Sequence, residues 1–311
     1  MMRVMRRFWD LANSRVRGLL ALPRQIEDGK LLAAKTLSLQ LASQGTIDDI
    51  RGSEFKVFSQ FGEDGIIQYL IRQARIPAHC RSFIEFGVES YDEANTRFLL
   101  VNNNWRGLII DGDLSNVRRV RSSSIYWRHN LVAVDAFVDV DNINGIFSEN
   151  GFVGEIGLLS VDIDGNDYWV WDKIEVVNPM IVVAEYNSVF GPRHAVTVPY
   201  NKTFVRSRAH SSNLYWGASL GALVQLGERK GYAFVGSNSA GNNAFFVRRD
   251  CLNGQRVLTA AEGYVESQFR ESRDEAGRLT FLSGAARLRE IGNMLVYDVE
   301  HDSLVKLGDL N

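Results

Sequence analysis

Between Glu54 and Arg248 short apolar runs alternate with stretches whose apolar residues recur at helical spacing. Ser82-Phe-Ile-Glu-Phe-Gly87, Gly107-Leu-Ile-Ile-Asp-Gly-Asp113, Ile156–Asp162 and Met180-Ile-Val-Val-Ala-Glu185 carry the near-continuous apolar character that strands buried on both faces require. A weaker strand is expected within Ile125–Val134. Helical patterns fall over Ile66–Arg75, Ala94–Val101, Leu114–Arg121, Asp141–Asn150 and Gly217–Lys230, and an aromatic helix-like segment follows Asn166. Two short runs, Tyr232–Val235 and Ala244–Arg248, flank Gly236-Ser-Asn-Ser-Ala-Gly-Asn-Asn243 and predict an antiparallel hairpin. Strands alternating with helices imply an α/β fold, a doubly wound and mostly parallel sheet whose last strand is antiparallel.

The flanking segments differ from this core. Residues 1–50 read as a helical arm, 51–250 as the α/β domain, and 251–311 as an extension ending in a hairpin of Asn293–Val299 and Asp302–Leu307. The arm begins with Arg3, Arg6, Arg7, Arg15, Arg17 and Arg24 against a single acid, Asp10, interleaved with Phe8, Trp9 and leucines. Two readings of it stay open: an amphipathic helix on a membrane surface, or an arm packed on its own chain or a sister subunit in a homo-oligomer. Over the whole chain the net charge of −2 argues against nucleic acid as a partner. Two cysteines, Cys80 and Cys251, make no disulfide framework and no zinc-ligand spacing, which favours a reducing compartment such as the cytoplasm. No apolar stretch reaches the length needed to cross a bilayer.

The chemistry concentrates where the strands end. Leu158-Leu-Ser-Val-Asp-Ile-Asp-Gly-Asn-Asp167 places Asp162, Asp164 and Asp167 at the carboxyl end of a buried strand, the place where open α/β sheets hold ligands. One of the three is expected to cap the following helix, and the others to face a ligand or metal. The first strand ends Glu85-Phe-Gly-Val-Glu-Ser90, one glycine with two acids. A dinucleotide site needs three glycines there for close approach to a pyrophosphate, and acids repel phosphate. The lysine-bearing phosphate loop is absent. A cofactor without phosphates and with a cationic end, S-adenosylmethionine, fits better. Gly87 then leaves room for the methionine portion, Glu85 and Glu89 lie near it, with Glu85 near the ammonium, and Asp111 or Asp113 accepts the ribose hydroxyls.

These motifs carry a family resemblance. Phe83-Ile-Glu-Phe-Gly87, Leu108-Ile-Ile-Asp-Gly-Asp113 and Leu158-Leu-Ser-Val-Asp-Ile-Asp-Gly165 resemble the successive motifs of FkbM-type S-adenosylmethionine-dependent methyltransferases. The lead-in Phe58-Ser-Gln-Phe-Gly-Glu-Asp-Gly65 and the ending Asn243-Ala-Phe-Phe-Val-Arg248 are similar to bacterial relatives associated with surface-polysaccharide genes. The resemblance covers residues 54–250 and departs from the glycine-rich first motif at Val88-Glu89-Ser90. It implies a Rossmann-like methyltransferase sheet and O-methylation of a sugar or glycan hydroxyl, the acceptor being free or linked to a nucleotide or lipid carrier. Cysteine usage places the work in the cytoplasm, and the basic arm agrees with the inner face of the membrane. The alternative is a catalytically silent α/β protein that binds or assembles.

Methyl transfer to a hydroxyl needs a proton acceptor or a cation that lowers the hydroxyl pKa. Asp162, Asp164, Glu185 and Asn187 end neighbouring strands and offer the oxygen ligands a magnesium-like ion takes. The arrangement resembles that of catechol-type methyltransferases; without a metal, the same groups hydrogen-bond substrate hydroxyls. Among five histidines, His210 in the loop after the fifth strand is the expected base, with Asp162 and Asp164 as its catalytic neighbours. Arg193, Arg206 and Arg208 around it suit a phosphorylated acceptor, and Tyr200, Tyr215 and Trp216 suit stacking on a sugar ring.

Overall fold

The computed structural model describes residues 22, 25–43 and 45–310, so the arginine-rich start of the arm lies outside the described residues. Residues 25–43 form helix α1. The main alternation runs α2 (Glu63–Gln73), β1 (Ser82–Phe86), α3 (Arg97–Asn103), β2 (Arg106–Asp111), α4 (Leu114–Ser122), α5 (Ser124–Arg128) and β3 (Leu131–Asp135). It continues through α6 (Ile143–Glu149), β4 (Gly154–Val161), α7 (Asp167–Lys173) and β5 (Val177–Glu185). After β5 come β6 (Val196–Thr197), α8 (Arg206–Ala209), α9 (Leu220–Arg229), β7 (Tyr232–Ser237) and β8 (Asn243–Arg248). The extension adds α10 (Ala260–Gly263), α11 (Ala285–Glu290), β9 (Leu295–Asp298) and β10 (Ser303–Lys306).

Seven strands form one sheet in the order β3-β2-β1-β4-β5-β8-β7. β1 to β5 pair in parallel, while β8 runs antiparallel to both β5 and β7. This is the doubly wound Rossmann-like sheet that the apolar pattern predicts, with the closing hairpin where it was expected. Alternate strand residues enter different cores: Ile84, Leu108, Ile110 and Leu159 on one face, Phe83, Ile109, Leu158 and Ile181 on the other. Each such side chain contributes roughly 1.5–3 kcal/mol through burial. Strand order reverses between β1 and β4, and the crevice above their carboxyl ends is the switch point at which such sheets bind ligands.

Two element expectations are corrected. The third strand starts at Leu131, because Ser124–Arg128 forms a short helix with no buried residue instead of extending the strand. The fifth strand starts at Val177 and runs through Pro179. Pro179 is tolerated because β8 pairs with β5 only from Ile181 onward, so no partner on that side needs the missing N–H. The loop after β5 also contains β6, which joins β9 and β10 in a three-stranded sheet. Phe190, Val196, Leu214, Ile291 and Val296 form one small core beneath it, tying the extension to the loop beside the crevice.

Helix α1 packs Ala34 against Phe58 and Phe98, and Glu27 pairs with Arg97 at 3.2 Å. Its Ile26, Leu32, Leu37 and Leu39 are exposed. Among the described residues no helix is long and apolar enough to cross a membrane.

Candidate active site

Strand β1 delivers Glu85 and Gly87 to the crevice. Glu85 is 5% exposed and accepts hydrogen bonds from the Asn95 N–H at 2.8 Å, the Thr96 N–H at 3.1 Å and the Thr96 hydroxyl. Burial raises its pKa, and the bonds from Thr96 and Asn95 oppose the rise. Gly87 has φ of +77°, and a Cβ there would lie 1.8 Å from the Asp162 carbonyl oxygen. Only glycine lets β1 and β4 approach this closely at the crevice floor. Glu89 adopts a left-handed φ of 47° and donates its N–H to Asp111 Oδ2 at 2.7 Å.

Strand β2 delivers Asp111, which is 8% exposed. Its Oδ1 accepts from the Asp113 N–H and the Asn116 amide, its Oδ2 from Glu89. A carboxylate has about four acceptor positions, so Asp111 and Glu85, with three donors each, retain one for a ligand. Asp113 is placed differently from the expected ribose contact. It is the N-cap of α4, accepting from the Ser115 N–H at 2.7 Å, and that bonding lowers its pKa. It does not line the crevice cavities.

The β4 turn separates its three aspartates by role. Asp167 is fully buried and reaches back to the N–H groups of Ile163 at 2.7 Å and Gly165 at 2.8 Å, so it holds the turn; the expected capping aspartate is not found, since the N-cap of α7 is Asn166 and no side chain caps it. Burial outweighs those bonds and raises its pKa to about 6. Asp164, at a left-handed φ of 54°, accepts from Arg206 Nη1 at 2.7 Å. Asp162 faces Glu185 from the end of β5. Burial raises the pKa of both well above the usual range, and the neighbouring carboxylates add to it; for Asp162 a hydrogen bond from Glu185 partly offsets the rise. Two such carboxyls titrate as a unit and hold one proton between them where isolated carboxylates are ionised. Glu185 Oε2 is buried without a hydrogen-bond partner among the described residues.

The four residues expected as an ion site are not assembled as one. Asn187 spends its amide on the Leu214 and Trp216 carbonyls and its oxygen on the Val189 N–H, while Asp164 is held by Arg206. Among the described residues, the His, Cys, Asp and Glu groups with metal-like convergence lie elsewhere, at His79–Cys80–Glu155 and Asp298–Glu300–His301. His210 is also displaced from its expected role. Its Nδ1 is satisfied by the Ser212 hydroxyl at 2.8 Å, closing a tight turn after α8, and the ring is not among the crevice-lining groups. Arg193 and Arg208 are exposed.

Three cavities meet at Asp162, Glu185 and Arg206. The first, about 220 Å³, has apolar walls from Ile110, Phe137, Val138 and Ile163 with Asp111 and Glu89 at its rim. The middle one, about 280 Å³, is lined by Glu85, Glu89, Glu93, Asp162, Asp164 and Glu185 beside Gly87. The third, about 190 Å³, lies beyond Glu185 and includes Arg206, Trp216, Phe269 and Arg287. The Arg206 guanidinium stacks 4.7 Å from the Trp216 ring centre and donates through Nε to the Asn213 carbonyl. Tyr215 is spent in the core, its hydroxyl donating to the Leu295 carbonyl. Gln60 lines two of the cavities, held there by Asp64, which gathers the N–H groups of Val57, Phe58 and Ser59 at 2.8 Å each. Sequence reading missed Gln60, Phe137, Phe269 and Arg287. Phe137 had a usable signal: it follows the third strand, where a ligand wall is expected once that strand is placed correctly.

No family model matches the chain, and no curated protein matches it. Solved structures do. The N-terminal domain of EvdMO1 with S-adenosylhomocysteine (SAH) bound is similar at 12% identity, over 72% of this chain and 94% of that one, with a TM-score of 0.40. The same domain has been solved in the presence of SAH and D-fucose. An O-methyltransferase from Bacillus cereus in complex with SAH is similar at 12% identity over 70% and 89% of the two chains, TM-score 0.36. The CurJ carbon methyltransferase is similar at 10% identity over 60% and 52%, TM-score 0.39. At these identities and scores, function has to be read from the crevice itself.

Proposed function

We propose that the chain is an S-adenosylmethionine-dependent O-methyltransferase acting on a hydroxyl of a sugar or glycan. The observation that carries this reading is the paired crevice: an apolar compartment with a carboxylate rim opens onto a chamber of six carboxyl groups. A phosphate-bearing cofactor would meet those carboxylates and no glycine-rich helix start, whereas a cofactor with a flat base, a diol and cationic sulfonium and ammonium groups meets complementary surfaces. Ile110, Phe137 and Val138 would hold the base, Asp111 the ribose, and Glu85 and Glu89 the cationic end. The resemblance of the strand-end motifs to those of FkbM-type methyltransferases supports the same assignment, and the surface-polysaccharide setting of such proteins supports a carbohydrate acceptor.

Bound S-adenosylmethionine supplies a methyl group activated by its sulfonium. The chain's own part is alignment and proton removal. Glu185 lines both the carboxyl chamber and the third cavity, so an acceptor hydroxyl in that cavity would donate its proton to the Glu185 carboxylate while its oxygen takes the methyl group, the sulfur–methyl bond breaking and S-adenosylhomocysteine leaving. Asp162, on the cofactor side, shares charge and proton with Glu185, and the raised pKa brings the pair closer to the operating pH of a general base. Arg206 fixes Asp164 and one wall of the acceptor cavity. The two cysteines, both buried and free, accord with a cytoplasmic setting. Calorimetric titration with SAH and with NAD checks the cofactor: SAH binds and NAD does not. NAD binding without SAH binding overturns the reading, and binding of neither returns the chain to a silent scaffold.

A further inference from the structure

The third cavity owes one wall to the extension. The segment from Tyr264 to Phe269 is strapped over the end of β5 by Tyr186 Oη donating to the Val265 carbonyl, the Ser267 N–H donating to Ser188 Oγ at 3.0 Å, and the Gln268 N–H donating to the Ala240 carbonyl at 3.1 Å. Gly241, at φ of +78°, lets it pass: a Cβ there would lie 2.7 Å from the Glu266 backbone. Behind the strap stands Arg287 of α11. Its side chain is 6% exposed, yet among the described residues its only ion-pair partner is Glu266, which is 57% exposed and 3.1 Å away. Nη1 donates to the Phe269 carbonyl, and Nε is buried with no hydrogen-bond partner among the described residues.

A buried guanidinium needs close, desolvated compensation, and a water-screened carboxylate at the rim supplies little. The other charges around the cavity are already matched: Arg206 with Asp164, Glu271 with Arg273. Arg287 is the under-compensated one: among the described residues the acids lining the cavity are Glu271, already paired with Arg273, and Glu185, which shares its charge with Asp162. We infer that the acceptor is an anion, a hydroxylated molecule whose carboxylate or phosphate group is held by Arg287 at the strap while its hydroxyl lies toward Glu185. The role of the hydroxyl rests on the methyltransferase reading; the anion site does not.

Ligand-observed NMR on the full chain, with and without SAH, scores D-glucuronate, glucose 1-phosphate, inorganic phosphate and D-glucose. At least one anion binds, and glucose binds about 10- to 100-fold more weakly, the ratio expected for one charge-assisted pair. Glucuronate ahead of both phosphates identifies a carboxylate acceptor, and the reverse order a phosphorylated one. Arg287→Met abolishes the preference while leaving SAH affinity and the thermal midpoint of unfolding unlowered, and Arg287→Lys, should the Met variant fail to fold, weakens it by losing the two-pronged contact. Glucose binding as tightly as the anions, no binding of any anion, or anion binding unchanged in both variants overturns the inference. Failure of SAH to bind overturns the methyltransferase reading alone, since anion binding is scored without it.

Discussion

Gly87→Ala is the sharpest structural perturbation of the crevice, because a matched control exists. Gly87 and Gly277 share a φ of +77°, but a Cβ at Gly87 meets the Asp162 carbonyl oxygen at 1.8 Å while a Cβ at Gly277 meets nothing within 4 Å. The backbone cost of an L-residue in this region, about 1–2 kcal/mol, applies to both. Gly87→Ala adds an overpacking cost of about 1–3 kcal/mol. Backbone holds the clashing oxygen, so relief requires parting β1 from β4 at their last paired residues, Phe86 and Val161. We expect a total of about 2–5 kcal/mol for Gly87→Ala and about 1–2 kcal/mol for Gly277→Ala, read by urea denaturation at constant slope. SAH affinity, measured on the folded fraction, falls only in Gly87→Ala. Equal destabilisation by the two substitutions would refute the close approach of β1 and β4 as the reason for glycine.

Glu185→Gln should lower turnover by about 10²- to 10⁴-fold, the range for loss of a general base, with SAH affinity nearly unchanged; a loss of SAH binding instead would move Glu185 to the cofactor. His210→Ala should keep turnover within about twofold, because the ring lines none of the crevice cavities, and a loss comparable to Glu185→Gln would restore it as the base. Asp167 has its pKa raised from 3.8 to about 6, so the folded state binds its proton more tightly than the unfolded chain. Its stabilising contribution is therefore present below pH 3.8 and is lost as pH rises through 6, by at most about 3 kcal/mol. Denaturation of wild type and Asp167→Asn across that window should show the difference between them changing by this order, and a constant difference would contradict the burial of an acidic Asp167. Exhaustive chelation should leave turnover intact, as Asp164 and Asn187 are already committed to Arg206 and to backbone groups; metal-dependent recovery after chelation would show that these contacts rearrange.

The sheet was legible because strands buried on both faces must be apolar throughout, so the acids that interrupt them, Glu85, Asp111, Asp162 and Glu185, mark their carboxyl ends. The division of labour among polar residues was less so. Asp113 stands just before Leu114-Ser-Asn, an N-cap position, and that signal competes with ligand binding. Asn187 is likewise consumed by capping, and His210 sits in a loop whose path no periodicity encodes. The third strand was misplaced at its start because Ile125, Tyr126 and Trp127 satisfy strand composition while forming a short surface helix. The wall made by Phe269 and Arg287 is tertiary: the strap lacks a repeating pattern, and its position depends on hydrogen bonds to Tyr186 and Ser188, some eighty residues earlier.

Transfer of labelled methyl from S-adenosylmethionine into fractionated cell extract, followed by mass measurement of the product, meets the central assignment most directly. The account predicts label in the carbohydrate fraction as a base-stable ether, dependent on the chain and lost with Glu185→Gln. Label confined to protein or to amines, or no transfer by a chain that binds SAH, would contradict it.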